Sequence, residues 1–332
     1  MSDVVVFAVD GGNSKTDLAL VRADGTVLSL VRGPLSSPHH IGLDGSLAVL
    51  GELWERATTE AALTRTNGPI AAVGRLCMAG VDFPAEEQVL QERVAALGWA
   101  EHTSVANDTY AVLRAGTDDG WGVGLVCGAG INCVAVAPDG REVRFPALGE
   151  ITGDWGGGRD VGLSALAAAA RSADRRGPRT SLEHKVPQFF GLETPDQVAE
   201  AIHVGSLDGR RVIELPPLVF AEAVHDAVAA AIVERLTFEI VAFVRASLSR
   251  LDLTQEHVQV ALGGGVACAL NDRVVELIEA ELHEVGPHIE LRLTSSPPVL
   301  GAALAALDTL GAGPDAHARV RIELATAGRT DG

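Results

Sequence analysis

A glycine-rich loop between two short apolar segments occurs twice in this chain of 332 residues. In the first copy, residues 10–17 separate the apolar runs 4–9 and 18–21, and a predicted Asp24-Gly25 turn follows. The β-branched runs predict buried strands, and the glycines allow a sharp bend with accessible amide N–H groups. The loop therefore joins two strands of a hairpin, whereas a P-loop or a dinucleotide-binding loop leads from a strand into a helix.

The second copy repeats the order of strand, glycine loop, strand, Asp-Gly turn and strand. The apolar run 121–126 precedes the loop 127–132, a strand at 133–137 and the turn Asp139-Gly140. Two such hairpins predict two similar domains, each presenting backbone amides at its tip. We expect the two tips to hold one polyphosphate between them.

The composition limits the classes of partner. A formal net charge of −18 argues against nucleic acid or an anionic membrane as partner. It leaves ATP open, because phosphate sites are built locally from amides, a few cations and Mg²⁺. No apolar stretch approaches the length of a membrane span, and the N-terminus lacks the basic segment of a signal peptide. We therefore expect a cytoplasmic protein.

The cysteines and histidines do not follow the spacing of a metal or disulfide site. Cys77, Cys127, Cys133 and Cys268 contain no C-x-x-C pair, which predicts reduced and mostly buried thiols. The ten histidines show no ligand spacing, so a dedicated metal cage is not expected.

Strands alternate with helices behind each hairpin, which is typical of an α/β domain with a mixed sheet. Residues 33–40 are predicted to form a loop. The predicted strands are 71–78, 102–106, 258–262 and a short one at 320–323. The predicted helices are 44–63, 84–98, 109–115, 160–171, 216–250 with a candidate break near Thr237, 271–285 and 299–310. The predicted domains are 1–117, completed by the C-terminal helix 298–311, and 118–297, with residues 312–332 as a tail.

Two acidic residues lie at the ends of predicted strands, and each has two open interpretations. The carboxylate of Asp108, or the side chain of Asn107, can cap the following helix. Alternatively, Asp108 beside a γ-phosphate can accept the proton of an attacking hydroxyl. Asp10 either forms an Asx turn or orients Mg²⁺, since hard cations take oxygen ligands.

The loops offer further candidates. Lys15 can offset phosphate charge or be an exposed hairpin lysine, and Thr16 can bind phosphate or serve only as a strand residue. Asp154, in the glycine-dense loop 147–158, can cap a helix or bind sugar hydroxyls. Residues 263–265 follow a buried strand with no hairpin after them, which indicates a loop that a nucleotide approaches.

Taken together, these segments resemble the actin/hexokinase/Hsp70 ATPase superfamily. The first hairpin resembles its phosphate-1 element, residues 127–132 its phosphate-2 element and residues 262–266 its adenosine element. Within the superfamily, residues 33–39, 105–108 and 149–154 resemble the BadF/BadG/BcrA/BcrD group, which includes N-acetylglucosamine kinases. The resemblance covers about residues 4 to 310. It implies an α/β fold of two ribonuclease H-like lobes, each a mixed five-stranded sheet flanked by helices, with a cleft between the lobes.

The resemblance also implies roles for individual residues in an ATP- and Mg²⁺-dependent, homodimeric kinase of a small sugar. Asp108 corresponds to the base that deprotonates the sugar 6-hydroxyl, and Asp10 to the residue that helps place Mg²⁺. The implied sugar contacts are Ser36, Ser37, His39, Gly80, Asn107, Asp108, Gly130 and Asp154. The implied ATP contacts are Gly11, Gly12, Asn13, Ser14, Lys15, Thr16, Gly128, Ala129, Gly130, Asn132, Gly263, Gly264 and Gly265.

One departure from the group leaves the acceptor open. The kinases usually carry an Asn where this chain has Ser37-Pro38, and a serine has a shorter reach and a single donor. Glucosamine, N-acetylmannosamine, N-acetylmuramate and glucose are therefore alternatives to N-acetylglucosamine. Two other functions are a non-catalytic nucleotide or sugar sensor and the activator ATPase of a 2-hydroxyacyl-CoA dehydratase. The activator needs paired cysteine ligands for an iron–sulfur cluster.

Overall fold

The computed structural model describes residues 4–65 and 68–327, which form two compact units. The first unit extends to Gly124 and includes the chain from Thr294 onward, and the second is Leu125–Leu293. The sequence placed these divisions after residues 117 and 297. In both descriptions a C-terminal helix returns to the first unit.

The described residues form strands and helices with the following bounds. The strands are β1 (Val5–Gly11), β2 (Lys15–Arg22), β3 (Val27–Pro34), β4 (Ala71–Met78), β5 (Ala100–Asn107), β6 (Gly122–Cys127), β7 (Ile131–Val136), β8 (Glu142–Arg144), β9 (Val258–Gly263) and β10 (Ile289–Leu293). The α-helices are α1 (Pro38–Glu60), α2 (Pro84–Ala95), α3 (Thr109–Gly116), α4 (Gly157–Ala173), α5 (Leu182–Phe189), α6 (Pro195–His203), α7 (Pro216–Glu222), α8 (Ala227–Leu251), α9 (Asp272–Val285), α10 (Val299–Leu310) and α11 (Pro314–Ala327).

The sheet of the first unit brings three strand ends to one edge. Its order is β3-β2-β1-β4-β5, with β1 antiparallel to β2 and parallel to β4, and β4 parallel to β5. In this register Asp10 lies beside Cys77, and Met78 lies beside Asn107. The carboxyl ends of β1, β4 and β5 therefore carry Asp10, the loop after Met78 and Asp108 to the same edge.

Both faces of this sheet are buried by helices. On one face Phe7 makes an edge contact with Trp54 at 5.2 Å between ring centroids, and Trp54 stacks on Trp99 at 4.9 Å. Aromatic pairs of this kind contribute about 0.5–1.5 kcal/mol beyond the area they bury. On the other face α10 packs closely, because a Cβ on Gly301 would overlap the carbonyl oxygen of Ala111 in α3. The absence of a side chain at Gly301 therefore lets α10 approach α3 closely.

The second unit repeats the strand order of the first. Its sheet runs β10-β9-β6-β7-β8, with the hairpin strands β6–β8 in the positions of β1–β3 and with β9 and β10 in those of β4 and β5. It is a mixed sheet, since β9 and β10 are parallel and β7 and β8 are antiparallel. The internal repeat and the two five-stranded mixed sheets are thus confirmed. Strand β10 was not predicted, although the repeat calls for a counterpart of β5.

Several local predictions were wrong. Pro38 starts α1 at a favourable first-turn position within the predicted loop, and the positive φ of Gly42 (+72°) interrupts the helix before Asp44. The break near Thr237 lies instead between α7 and α8, where the Asp226 side chain accepts hydrogen bonds from the N–H groups of Val228 and Ala229. The predicted strand 320–323 belongs to α11.

The helix α11 forms because its apolar residues have helical spacing. Val320 and Leu324, four residues apart, are fully buried in the same core as α10.

Helices α5 and α6 were not predicted. No helix in the two described stretches combines the length and apolar character that crossing a bilayer requires.

Candidate active site

The first glycine loop is the tip of the β1–β2 hairpin, as predicted. The N–H of Gly12 donates to the carbonyl of Lys15 at 2.9 Å, and pairing extends to Gly11 and Thr16. Asn13, Ser14 and Lys15 are exposed at the tip. The loop therefore joins two antiparallel strands and does not open a helix.

Two predicted ligand contacts are hydrogen-bonded to each other below this loop. The Thr16 hydroxyl donates to the Ser36 hydroxyl at 2.7 Å, and both residues are fully buried. Thr16 was predicted to touch phosphate and Ser36 to touch the sugar. Those contacts stay predictions, and in this structure the bond joins the hairpin to the segment before α1.

Asp10 is a buried carboxylate among other carboxylates. It is 8% exposed, and its pKa is raised to about 8 by burial first, then by the charges of Asp108 and Asp17. Lys15 and Arg32 oppose this rise. Arg32 is itself paired with Asp17 through two hydrogen bonds of 2.7 and 3.1 Å. Oxygen donors in such a negative environment fit a hard divalent cation, which would stabilise the ionised form of Asp10.

Asn107, and not Asp108, provides the side-chain cap of α3. The Oδ1 atom of Asn107 accepts hydrogen bonds from the Thr109 N–H at 3.0 Å and from its hydroxyl at 2.6 Å. The Asp108 side chain makes no capping bond. The capping role therefore belongs to Asn107. The Asp108 carboxylate, at the end of β5, is not used as a cap.

The environment of Asp108 weakens its acidity. Burial, followed by the nearby charge of Asp82, raises the pKa of Asp108 to about 6, while the backbone N–H groups of Asp108 and Thr109 oppose the rise. A carboxylate with a pKa close to neutrality is a better proton acceptor than an ordinary aspartate.

Asn107 is saturated by contacts within the protein. Its Nδ2 donates to Asp82 Oδ1 at 2.9 Å and to the carbonyl of Val81 at 3.2 Å, in addition to the two bonds that its Oδ1 accepts. Its backbone N–H donates to Glu87 at 3.2 Å. The side chain was predicted to contact the substrate; that contact stays a prediction, and the geometry assigns the side chain a structural connection between β5 and the loop after β4.

The other predicted sugar contacts of this unit form one cluster. Gly80 has a φ of +71°, and a Cβ there would lie 2.5 Å from the Ser37 hydroxyl and 3.1 Å from the His39 ring. Among the described residues, the buried Ser37 Oγ has no hydrogen-bond partner. His39 Nε2 lies 3.3 Å from Glu86 Oε1.

Acidic residues that the sequence analysis missed complete this cluster. Glu86 accepts hydrogen bonds from the N–H groups of Asp82 at 2.9 Å and Phe83 at 3.0 Å, as in a capping box for α2. A ring nitrogen of His39 and one carboxylate oxygen from each of Asp82 and Glu86 lie within 4.8 Å of one another. The available signal was the acidic first turn of a helix that follows a strand end, formed by Glu86 and Glu87, with Asp82 two residues before the helix.

In the second unit, three glycine segments are joined by backbone hydrogen bonds. Gly158 and Arg159 donate to the carbonyls of Gly128 and Ala129 at 2.7 and 3.0 Å. Val266 donates to the carbonyl of Cys127 at 3.0 Å. The predicted phosphate-2 loop, the start of α4 and the predicted adenosine loop therefore form one surface of glycine-rich backbone.

Asp154 closes its own loop and faces charged residues of α8. Its Oδ2 accepts a hydrogen bond from the Gly149 N–H at 2.6 Å. The charge of Asp154 also acts on Glu239. The pKa of Glu239 is raised, first by burial and further by the charges of Asp154 and Asp160, while Arg235 opposes the rise. Arg235 also lies over the Trp155 ring at 4.1 Å. The sequence analysis did not identify Arg235 or Glu239, because nothing in a long helical segment marks them.

Comparisons with known proteins agree on the family and on the type of fold. The model of the BadF/BadG/BcrA/BcrD ATPase family matches residues 8–306. An N-acetyl-D-glucosamine kinase from Dictyostelium discoideum is 25% identical over 93% of this chain and 99% of its own length. An N-acetylmuramic acid/N-acetylglucosamine kinase from Clostridium acetobutylicum is 26% identical over 80% of this chain and 86% of its own length.

Solved structures share the fold at lower identity. A candidate N-acetylglucosamine kinase from Chromobacterium violaceum superposes with a TM-score of 0.68 at 23% identity, covering 92% of this chain and all of that one. The glucose complex of a hexokinase from Schistosoma mansoni has a TM-score of 0.54 at 12% identity over 92% of this chain and 85% of its own. The chain therefore has the hexokinase and actin type of fold.

Proposed function

Because the chain belongs to the BadF/BadG/BcrA/BcrD ATPase family, we propose that it is an ATP-dependent kinase of an amino sugar. The acceptor is N-acetylglucosamine and the product its 6-phosphate. The observation that carries the proposal is Asp108: its carboxylate follows a strand end at the same sheet edge as Asp10, makes no capping bond and has a pKa raised to about 6. The two related kinases, similar to this chain over most of its length, support the choice of sugar.

Asp108 acts as the general base of the transfer. It accepts the proton of the 6-hydroxyl as the oxygen attacks the γ-phosphorus, and a pKa of about 6 leaves it ionised at neutral pH. Asp10 would hold Mg²⁺ directly or through water, and the ion supplies charge neutralisation on the phosphates when bound. In the first unit, the backbone amides of residues 11–16 are the proposed phosphate contacts. In the second unit, residues 128–130 are proposed to bind phosphate and residues 263–265 to receive the adenosine.

The alternative functions have less support. An activator ATPase needs a pair of cysteine ligands for its iron–sulfur cluster, whereas Cys77, Cys127 and Cys133 are buried and Cys268 alone of the four cysteines is exposed. A sensor without activity needs no base, whereas Asp108 is present in an environment that favours proton transfer.

The test is a coupled ADP-release assay with N-acetylglucosamine, glucosamine, N-acetylmannosamine, N-acetylmuramate and glucose. We expect sugar-dependent release that is greatest with N-acetylglucosamine, and a phosphorus NMR spectrum that identifies a 6-phosphate. Asp108→Asn is the control for catalysis. ADP release at the same rate with and without sugar, in both proteins, would contradict a kinase.

A further inference from the structure

We propose that Arg235 is a positioning residue for the acceptor: by stacking on the Trp155 ring, it holds the neighbouring Asp154 carboxylate where that carboxylate binds hydroxyls of the sugar. In this proposal Arg235 acts through Trp155 and does not itself contact the sugar. The inference rests on the proposed kinase function, in which Asp154 is a predicted sugar contact, and it adds a residue that no motif of the sequence indicates.

Helix α8 contacts the chain on both sides of the loop that carries Asp154. Arg235 and Phe243 are eight residues apart and therefore lie on the same side of the helix. The Phe243 ring makes an edge contact with Phe145, just before the loop, at 4.9 Å between centroids. Near the end of the loop, the guanidinium carbon of Arg235 lies 4.1 Å from the centroid of the Trp155 ring. One side of α8 thus supports the whole loop.

The middle of this loop is exposed. Residues 150–153 face solvent, and Ile151 has a relative exposure of 84%. The hydrogen bond from the Gly149 N–H to Asp154 Oδ2 at 2.6 Å fixes the shape of the loop, but it joins two residues of the loop itself. The contact of Trp155 with Arg235 attaches the loop to a long helix at the residue next to Asp154.

The Asp154 carboxylate keeps one oxygen for a ligand. Its Oδ2 accepts the Gly149 N–H, whereas Oδ1 accepts no hydrogen bond from the described part of the chain. The side chain is partly exposed, so a sugar hydroxyl can reach it. Because Asp154 and Trp155 are adjacent, a displacement of the ring would also displace this oxygen.

The charge of Arg235 acts on the same group of side chains. Glu239 lies one helical turn from Arg235, and the negative charges of Asp154 and Asp160 both act on it, while Arg235 has the opposite effect. Loss of the guanidinium would leave the repulsion between Asp154 and Glu239 less compensated. This repulsion and the lost stacking would both move the loop away from its position beside α8.

The experiment measures KM for each substrate separately. Arg235→Met removes the charge and keeps an unbranched side chain, and we expect it to raise KM for N-acetylglucosamine about three- to tenfold, the range that a cation–π contact supports. KM for ATP and kcat should stay within about twofold of the wild-type values. The predicted phosphate-2 loop is joined to the start of α4 by backbone hydrogen bonds that do not involve Arg235.

Two further variants assign the effect to the stacked pair. Arg235→Lys should restore most of the sugar affinity, because an ammonium group also binds the face of an indole ring. Arg245→Met is the matched control, since Arg245 is an exposed arginine of the same helix with no ion pair or ring contact among the residues that the structure describes. It should leave both KM values unchanged. Thermal unfolding checks that all three proteins are folded.

A double-mutant cycle tests whether Arg235 acts through Trp155. If it does, Arg235→Met should raise KM for the sugar much less in a Trp155→Leu background than in the wild type. Equal increases in the two backgrounds would contradict the proposal.

The outcomes separate the inference from the proposed function. If N-acetylglucosamine is phosphorylated but Arg235→Met leaves its KM unchanged, raises both KM values together or behaves like Arg245→Met, the positioning role is wrong and the kinase stands. If the wild-type protein phosphorylates no sugar and calorimetry detects no sugar binding, the proposed function is wrong and the inference is wrong with it.

Discussion

The side-chain oxygen of Asn107 caps helix α3 at Thr109, so that the next residue, Asp108, makes no side-chain cap. Either residue could cap the helix from its position in the sequence. Asn107 takes the capping position because its Nδ2 also donates to Asp82 and to the carbonyl of Val81. The Asn107 amide accepts from the helix and donates to the loop at once, whereas an ionised carboxylate can only accept.

Replacing Asp108 by Asn is expected to abolish catalysis without destabilising the protein. Loss of a general base typically costs 10²–10⁴-fold in kcat. The melting temperature should change little, since the carboxylate makes no capping bond. Steady-state kinetics and thermal unfolding measure the two effects. A variant that retains more than a tenth of the wild-type kcat would contradict the role of Asp108 as base.

The activity is expected to fall in acid. Asp108 accepts a proton only when ionised, and its pKa is raised to about 6, so kcat/KM should be maximal above pH 6 and fall as the pH drops below it. Asp82 is the second cause of the raised pKa. Asp82→Asn should therefore move the acidic limb of the pH–rate profile to lower pH. A limb at the same pH in both proteins would show that Asp82 does not act on the base.

Asn107→Ala should impair both folding and catalysis. It removes the helix cap and the Nδ2 donor to Asp82 and to the carbonyl of Val81, which we expect to cost about 2–4 kcal/mol in the free energy of unfolding. The variant Asn107→Asp keeps the acceptor for Thr109 but loses both donated bonds and places a charge beside Asp82.

Comparison of the two variants separates the two halves of the amide. Urea denaturation measures the free energy of unfolding of both variants. If the bonds to Thr109 contribute most, Asn107→Asp should lose less of this free energy than Asn107→Ala. In both variants kcat should fall more than the affinity for ATP, which fluorescence titration measures. An unchanged kcat in a folded Asn107→Ala protein would argue against any influence on Asp108.

Gly264→Ala and Gly265→Ala form a matched pair in the predicted adenosine loop. Gly264 has a φ of +103°, and its Cβ would lie 2.5 Å from the carbonyl oxygen of Cys127, whereas a Cβ on Gly265 meets nothing within 4 Å. The strain at Gly264 should cost about 1–3 kcal/mol, and Gly265→Ala should cost much less. Thermal unfolding without nucleotide measures both. Equal melting temperatures would contradict the close approach of the two loops.

Features that depend on neighbours in the chain could be predicted from the sequence. The apolar runs on either side of the two glycine loops were sufficient for both hairpins and for the internal repeat, because hairpin pairing is set by residues close in sequence. Strand β10 was missed although Ile289–Leu293 alternates apolar and charged residues as a half-buried strand does, because so short an alternation becomes a strand only through its pairing with β9. Helix α11 likewise depends on burial of Val320 and Leu324 against a core formed far away in the chain.

The sequence by itself determined that glycine loops, Asp10 and Asp108 end strands of two similar α/β units, since period and turn chemistry are local properties. Only the tertiary structure decided that Asn107 takes the cap, that Asp82 and Glu86 stand with His39 beside the predicted sugar contacts, and that Thr16 and Ser36 bond to each other. Hydrogen bonds and Coulomb interactions act through space, and strand pairing brings together residues that no sequence spacing relates.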